Sequence, residues 1–211
     1  MTRAPSIAGV ILAAGESSRM GAEKALLPWP PCVEGQSVSS ESFLSAAIRS
    51  LLAATDFVVV VVGKNEAALA PVVYAQGASI VVNRDTARGQ FSSLQLGLHE
   101  VLNQGRDAAM ITLVDRPPVR PSTLQTLRDA FEVAEHNVWA VVPEFSGAHG
   151  HPYLVGREMM SVFLQASPAA TARDVEHEHQ ARIQYVAVAD PLVVLNINTP
   201  EEYAALPARS S

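Results

Sequence analysis

The 211-residue sequence predicts a three-layer α/β domain built on a mostly parallel sheet. Three observations predict it. Short apolar runs alternate with longer amphipathic stretches from residue 7 to residue 145, a repeating strand–helix order. One run, Phe57–Gly63, carries five consecutive valines, the pattern of a strand covered on both faces. Hydrophobic residues make up 48% of the chain against 17% charged, enough apolar material for a core on each side of a sheet.

Each element has its own signal. Ile7–Ala13 is short and apolar, a buried strand by length and composition. Pro28–Glu41 is rich in Pro, Ser and Gly and reads as a loop. Ser42–Ala54 reads as a helix, Phe57–Gly63 as a strand, Asn65–Gln76 as a helix and Ser79–Asn83 as a strand. Phe91–Gln104 is helical, and Ala108–Val114 is a strand. Pro121–Glu135 is a helix whose Pro121 sits in the first turn, where a missing N–H breaks no intrahelical bond. Val138–Pro143 is the next strand. After residue 145 the alternation loosens. Tyr153–Val155 is a short strand, Arg157–Gln165 and Thr171–Glu178 are helices, and Ile183–Ala189 and Val193–Leu195 are strands. Thr199–Leu206 is a terminal helix, with Thr199, Pro200 and Glu202 in the order of a capping box. With no internal repeat and no low-complexity block, residues 1–211 are expected to form one domain.

Composition excludes several function classes. A formal net charge of −6 argues against a protein that coats a nucleic-acid backbone. Aromatics at 6% argue against a stacking platform for single strands. An anionic ligand must therefore be held by a local pocket. The single cysteine, Cys32, excludes an intramolecular disulfide and a thiolate zinc cluster. Without a signal-peptide pattern or an apolar stretch of about 18 residues, the expected location is cytoplasmic, with no membrane partner.

Five segments carry candidate chemistry. The first strand runs into Leu12-Ala13-Ala14-Gly15-Glu16-Ser17-Ser18-Arg19-Met20-Gly21, with Lys24 close behind. Small residues at the carboxyl end of a parallel strand let backbone N–H groups approach phosphate oxygens, and Arg19 and Lys24 supply charge. A generic βα turn with two exposed cations remains the alternative. Ile111-Thr112-Leu113-Val114-Asp115-Arg116-Pro117 places a carboxylate on the same rim, either as a hard Mg²⁺ ligand or as the opening of a turn. In Asn83-Arg84…Gly89-Gln90-Phe91-Ser92-Ser93-Leu94, Ser92 and Ser93 either cap a helix or bond a ligand. Gly147-Ala148-His149-Gly150-His151-Pro152 holds two histidines without a third ligand at zinc spacing, so His151 reads as a ligand contact on a loop. Glu176-His177-Glu178-His179 reads as a solvated helix face. Capping explains Thr199, Pro200 and Glu202 in the last segment but leaves Asn196 and Asn198 unexplained.

In this order the segments resemble the molybdenum cofactor nucleotidyltransferase family, over residues 7–206. The first segment is similar to that superfamily's Leu-Ala-(Ala/Gly)-Gly-x-Ser-x-Arg-Met-Gly…Lys signature. Gly89-Gln90…Ser92-Ser93-Leu94…Gly97-Leu98, Leu113-Val114-Asp115-x-Pro117 and Gly150-His151-Pro152 follow as expected. The resemblance implies a Rossmann-like domain of the nucleotide-diphospho-sugar transferase type, mainly nucleotide-binding up to residue 145 and acceptor-binding and metal-completing beyond it. Ala14, the Gly89-Gln90 to Leu94 stretch and Gly150-His151-Pro152 resemble the cytidylyl branch, while Asn196-Ile197-Asn198-Thr199-Pro200 resembles the guanylyl branch and Arg116 replaces the glutamine of the cytidylyl form.

The activity implied is attack by the acceptor phosphate of molybdopterin on the α-phosphorus of CTP, with release of pyrophosphate. Leu12, Ala13, Ala14, Gly15, Arg19, Lys24 and Ser92 would bind nucleotide. Arg19, Lys24 and Asp115 would be catalytic; Asp115 with Asn198 (or Asn196) would hold Mg²⁺; His151 and Arg173 would bind the acceptor. Arg173 reads equally as a surface cation. A recipient molybdoenzyme is the implied downstream partner. The alternatives are GTP in place of CTP, a sugar phosphate in place of the pterin, and a non-catalytic cofactor carrier. A dinucleotide-dependent oxidoreductase is disfavoured because its glycine fingerprint is absent.

Overall fold

The computed structural model describes residues 4–15, 23–31 and 41–206. Its elements run β1 (Ile7–Leu12), α1 (Phe43–Leu52), β2 (Phe57–Val62), α2 (Glu66–Ala75), β3 (Ser79–Val82), α3 (Gln90–Asn103), β4 (Ala108–Leu113), α4 (Pro121–Glu132), β5 (Ala140–Phe145), β6 (Ala148–His149), β7 (Tyr153–Gly156), α5 (Arg157–Gln165), α6 (Ala172–Glu178), β8 (Ile183–Ala187) and α7 (Pro200–Ala204). Short 3₁₀ turns occupy Lys24–Leu26, Thr86–Arg88, Gln180–Arg182 and Pro191–Val194.

The strands form one eight-stranded sheet of order β3-β2-β1-β4-β7-β5-β6, with β8 also paired to β5. β3, β2, β1 and β4 are mutually parallel, and β5 is parallel to β8. β7 runs antiparallel between β4 and β5, and β6 antiparallel to β5. The predicted mostly parallel α/β sheet is the one observed.

Strand alternation builds the layers. In β2, Val58, Val60 and Val62 enter one apolar cluster and Val59 and Val61 the other. A side-chain period of two sends successive valines to opposite faces, so a run covered on both sides can be all valine. The first cluster packs α1, α2 and α4 through Leu44, Ile48, Leu69, Leu124 and Leu127. The second packs α3, α5 and α6 through Leu94, Leu98, Met159, Phe163 and Val175. A third, small cluster of Trp29, Phe43, Ala46, Ile197 and Leu206 ties the end of the chain to α1.

Two expectations are corrected. Val193–Leu195 is not a strand. Asp190 accepts from the Leu192 N–H, Pro191 opens the turn, and Pro191–Val194 winds into a 3₁₀ helix. A capping acid followed by proline outweighs the β-propensity of two valines. The segment expected to be loop around His149 is instead a hairpin. Glu144 pairs with His149 and Phe145 with Ala148, across Ser146 and Gly147 with φ of 52° and 81°. Both central residues at positive φ match the twist of a two-residue hairpin. The predicted Pro28–Glu41 loop is held at its start and just beyond its end by a Pro28–Ser42 bridge, and its residues 32–40 lie outside the described ones.

Candidate active site

The carboxyl ends of β1 and β4 lie side by side, with Leu12 paired to Leu113. The chain leaves β1 through Ala13, Ala14 and Gly15, and leaves β4 through Val114 and Asp115. Two bonds pin the first turn. The Ala13 N–H donates to the Val61 carbonyl at 2.8 Å, and Asn65 donates from Nδ2 to the Ala13 carbonyl at 2.9 Å. Asn65 also accepts from the Gly63 N–H at 3.0 Å, so it clamps the ends of β1 and β2 together.

Lys24, on the 3₁₀ turn that follows, is 8% exposed and reaches Asp115, with Nζ 3.9 Å from Oδ2. At that distance the pair attracts without closing a full hydrogen bond. The other Asp115 oxygen, Oδ1, is buried and has no hydrogen-bond partner. A buried carboxylate oxygen left this way is costly unless a ligand meets it. The Asp115 carbonyl accepts from the Ile197 N–H at 2.9 Å, which brings Asn196 and Asn198 alongside Asp115. Asn198 is half-buried and Asn196 exposed. Among the described residues, no group of three or more His, Cys, Asp or Glu is placed to hold a metal.

A cleft of about 120 Å³ lies under the first turn, lined by Leu12, Ala14, Gly15, Thr86, Gly89, Gln90 and Ser93. Ser92 is held elsewhere. Its Oγ donates to the Gly89 carbonyl at 2.7 Å and accepts from Asn83 Nδ2 at 2.9 Å. These bonds tie Ser92 to Gly89 and Asn83 without capping α3, whose N-cap is Gly89, and Ser93 is the serine on the cleft wall.

A second cavity, of about 670 Å³, adjoins the cleft and shares Leu12, Gly89 and Gln90 with it. Its apolar lining comes from Phe91, Leu94, Leu113, Val142 and Tyr153, and its polar lining includes Arg116, His151, Arg173 and Glu176. Three elements position His151. Gly150 donates to Pro143 at 2.9 Å and His151 donates its backbone N–H to Val193 at 2.8 Å, which stitches this loop between β5 and the 3₁₀ turn at 191–194. The Tyr153 ring packs edge-on against the imidazole at 5.2 Å. Burial, with the nearby Arg116 guanidinium, pushes the imidazole down to about 3, so it is neutral at physiological pH. Its Nδ1 is buried and unpartnered.

Arg116 donates to the Leu195 carbonyl at 3.0 Å. Burial lowers its pKa while Asp115 opposes that shift. It links the Asp115 rim to the large cavity.

The structure therefore brings Leu12, Ala13, Ala14, Gly15, Lys24, Asp115 and the Asn196–Asn198 segment to one rim, with His151 and Arg173 on the adjoining cavity. Arg19 lies outside the described residues. The solvated face expected for 176–179 is corrected in part. Glu176 lines the cavity, and the His179 ring packs 5.4 Å from Trp139, while His177 and Glu178 are exposed. Burial raises the Glu176 carboxyl to about 7 against the opposing pull of Arg173. The available signal was the three-residue spacing of Arg173 and Glu176, which puts them on one helix face beside buried Val175. Asn65 and Arg116 also acquire roles that spacing alone did not assign.

Comparison with known proteins places these features in a family context. The model of the MobA-like NTP transferase domain matches residues 9–183. The purine catabolism protein PucB of Bacillus subtilis is 28% identical, over 95% of this chain and 96% of that protein. A probable molybdenum cofactor guanylyltransferase of Rhodopirellula baltica is 26% identical over 94% and 90%, and the molybdenum cofactor cytidylyltransferase of Escherichia coli is 25% identical over 92% of each chain. The crystal structure of Rv0371c from Mycobacterium tuberculosis superposes with a TM-score of 0.77 at 25% identity, covering 94% of this chain and 96% of that one. Among the described residues no helix is long and apolar enough to cross a membrane.

Proposed function

The chain belongs to the MobA-like NTP transferase family and is a nucleotidyltransferase; from that premise we propose that it transfers CMP from CTP to molybdopterin and releases pyrophosphate. The observation that carries this reading is the Lys24–Asp115 pair, with Asp115 following β4 between Leu113 and Arg116, which both line the large cavity. The base and ribose occupy the cleft under Ala13–Gly15, and the acceptor occupies the cavity that His151 and Arg173 line. An acceptor phosphate oxygen attacks the α-phosphorus, the bond to the β-phosphate bridging oxygen breaks, and pyrophosphate leaves. A phosphate dianion is already nucleophilic near neutral pH. Catalysis is then positioning and charge neutralisation rather than base catalysis. Lys24, with Arg19, neutralises the triphosphate and the departing pyrophosphate.

The residues present fit a divalent cation. Asp115 offers a buried oxygen without a protein partner, and Asn198 lies on the segment bonded to Asp115. One carboxylate, a neutral oxygen, phosphate oxygens and water make a set suited to Mg²⁺. When bound, Mg²⁺ supplies charge stabilisation at the α-phosphate.

Ala14 supports the cytidylyl branch, because its methyl narrows a cleft of only about 120 Å³ and so favours a one-ring base. A second reading, GTP as donor, draws support from the Asn196–Asn198 segment, which resembles the guanylyl branch. Pyrophosphate release from CTP, GTP, ATP and UTP, each with Mg²⁺ and molybdopterin, tests both. A CTP preference supports the cytidylyl reading, and a GTP preference replaces it with the guanylyl one. No release from any of the four by folded protein with verified acceptor overturns both.

A further inference from the structure

Around the large cavity, arginines supply the positive side of the lining. Arg88, Arg116 and Arg173 all line it, as a phosphorylated ligand would require. Glu176 is the one carboxylate among the lining residues described. A site that recognised only phosphate would exclude that group, since an acid beside an anion repels it. Nor does helix packing require it there. The other acids of α6, Asp174 and Glu178, are exposed, and Glu176 alone turns to the cavity. Its neighbourhood includes the buried Tyr153 ring, whose hydroxyl pKa Glu176 helps to raise. A carboxylate on a largely apolar wall is suited to N–H donors.

A second observation is independent. His151 lines the same cavity, and its buried Nδ1 lacks a protein partner. A neutral imidazole offers one donor and one acceptor, so it can meet either kind of polar atom on a ligand ring. The same cavity is lined by Phe91, Leu94, Leu113 and Tyr153, apolar surface against which a flat ring packs.

We propose that Glu176 is the specificity-determining residue of this cavity, with its carboxylate accepting from the adjacent ring N–H and exocyclic amine of a 2-amino-4-oxopyrimidine edge while His151 bonds a further polar atom of the same ring. This inference rests on the reading of the cavity as the acceptor subsite and deepens it. The same edge occurs in a pterin acceptor and in a guanine base. The acceptor is favoured, because the cavity adjoins the cleft beneath Ala14 and Gly15 and does not include it.

Fluorescence titration at pH 8 with 6-hydroxymethylpterin, which carries no phosphate, reads the site directly. Its partner probe is 6-hydroxymethyllumazine, in which an oxygen replaces the 2-amino group. Wild-type protein should bind the pterin about tenfold or more tightly than the lumazine, the scale of one or two charge-assisted hydrogen bonds. Glu176→Ala should abolish the difference. Glu176→Gln keeps the shape and should weaken pterin binding while staying folded, with a melting midpoint at pH 8 no lower than that of wild type. Equal binding of the two probes by wild type, or unchanged discrimination in both variants, overturns the proposal. If guanosine binds tenfold or more tightly than the pterin and that binding is lost in Glu176→Ala, the edge belongs to the nucleotide and the acceptor assignment is overturned. The two readings fail separately. Pterin discrimination without nucleotidyl transfer to molybdopterin sinks the proposed reaction alone. Transfer to molybdopterin with an unchanged acceptor KM in Glu176→Ala sinks the role of Glu176 alone.

Discussion

An alanine at position 150 would place its Cβ 2.3 Å from the Val193 carbonyl oxygen, 2.6 Å from that carbonyl carbon and 2.9 Å from the Val193 Cβ. A relaxed carbon–oxygen contact begins near about 3.3 Å, so roughly 1 Å of movement is needed. The obstructing atoms are backbone, and the loop cannot rotate a side chain out of the way. The same carbonyl accepts the His151 N–H at 2.8 Å. Moving it costs that bond and drags the following residues, where Leu195 accepts from Arg116 and Ile197 donates to Asp115. Overpacking of this kind costs about 1–3 kcal/mol. In a chain of this length each kcal/mol lowers the melting midpoint by about 2–4 °C, so Gly150→Ala should melt about 2–12 °C lower. A displacement near 1 Å in positioned groups can cost about 100-fold in rate, and both Asp115 and His151 are linked to the segment that moves. Calorimetry and steady-state pyrophosphate release on the same preparation check the two halves. A variant with wild-type melting and kcat/KM within twofold would show that the loop and the 191–197 segment yield independently.

Other substitutions separate the remaining roles. Asp115→Asn removes the charge opposite Lys24 and should lower kcat by about 100-fold or more with little loss of stability, since the group is partly exposed and its oxygens are not holding the fold; near-normal turnover at saturating Mg²⁺ refutes it. Lys24→Ala should raise the KM for NTP by about tenfold and leave acceptor binding unchanged; identical kinetics would reduce Lys24 to a structural cation. Glu176 carries a folded pKa of about 7 against an ordinary value of 4.5. The native state therefore holds the proton longer than the unfolded chain does, and this contribution to stability is complete below pH 4.5 and lost as pH rises through 7. Relative to Glu176→Gln, wild-type stability should fall by up to about 3 kcal/mol across that window, less whatever solvent screens; parallel curves from pH 4.5 to 8 by chemical denaturation contradict it. Tyr203→Phe removes a 2.6 Å hydrogen bond to the Pro28 carbonyl and should cost about 1 kcal/mol, read in the same experiment; an unchanged midpoint would mean the chain end contributes nothing there.

The readable parts of this chain are those in which one local force decides. Five valines in β2 admit no amphipathic helix, and the sheet around them follows. Thr199, Pro200 and Glu202 form the capping box that their order predicts. Asp115 is legible because a strand end presents it to the rim. The loop around Gly150 was legible only as a motif. Its hairpin needs Ser146 at positive φ, an uncommon state for a residue with a side chain, and propensity alone argues against it. Val193–Leu195 misleads because β-branched residues read as strand, while capping by Asp190 and the ring of Pro191 set the backbone first.

Glu176 failed for a different reason, and that reason bears on the site as a whole. A charged residue between charged neighbours reads as solvent-facing, and only the packing of α6 over the second core layer, through Val175, turns one carboxylate inward. The Ala13–Gly15 turn and Asp115 are set by the ends of β1 and β4, which pair in parallel. Around the large cavity, His151, Tyr153, Arg173 and Glu176 come from the loop after a hairpin, an antiparallel strand and a short helix, which only tertiary packing brings together. Sequence order therefore records the first half and tertiary packing the second. On the proposed assignment, a change of donor nucleotide works through the β1 and β4 ends, whereas a change of acceptor can be made on α6 without altering the Gly150 loop, which is tied through residues 193–197 to Asp115.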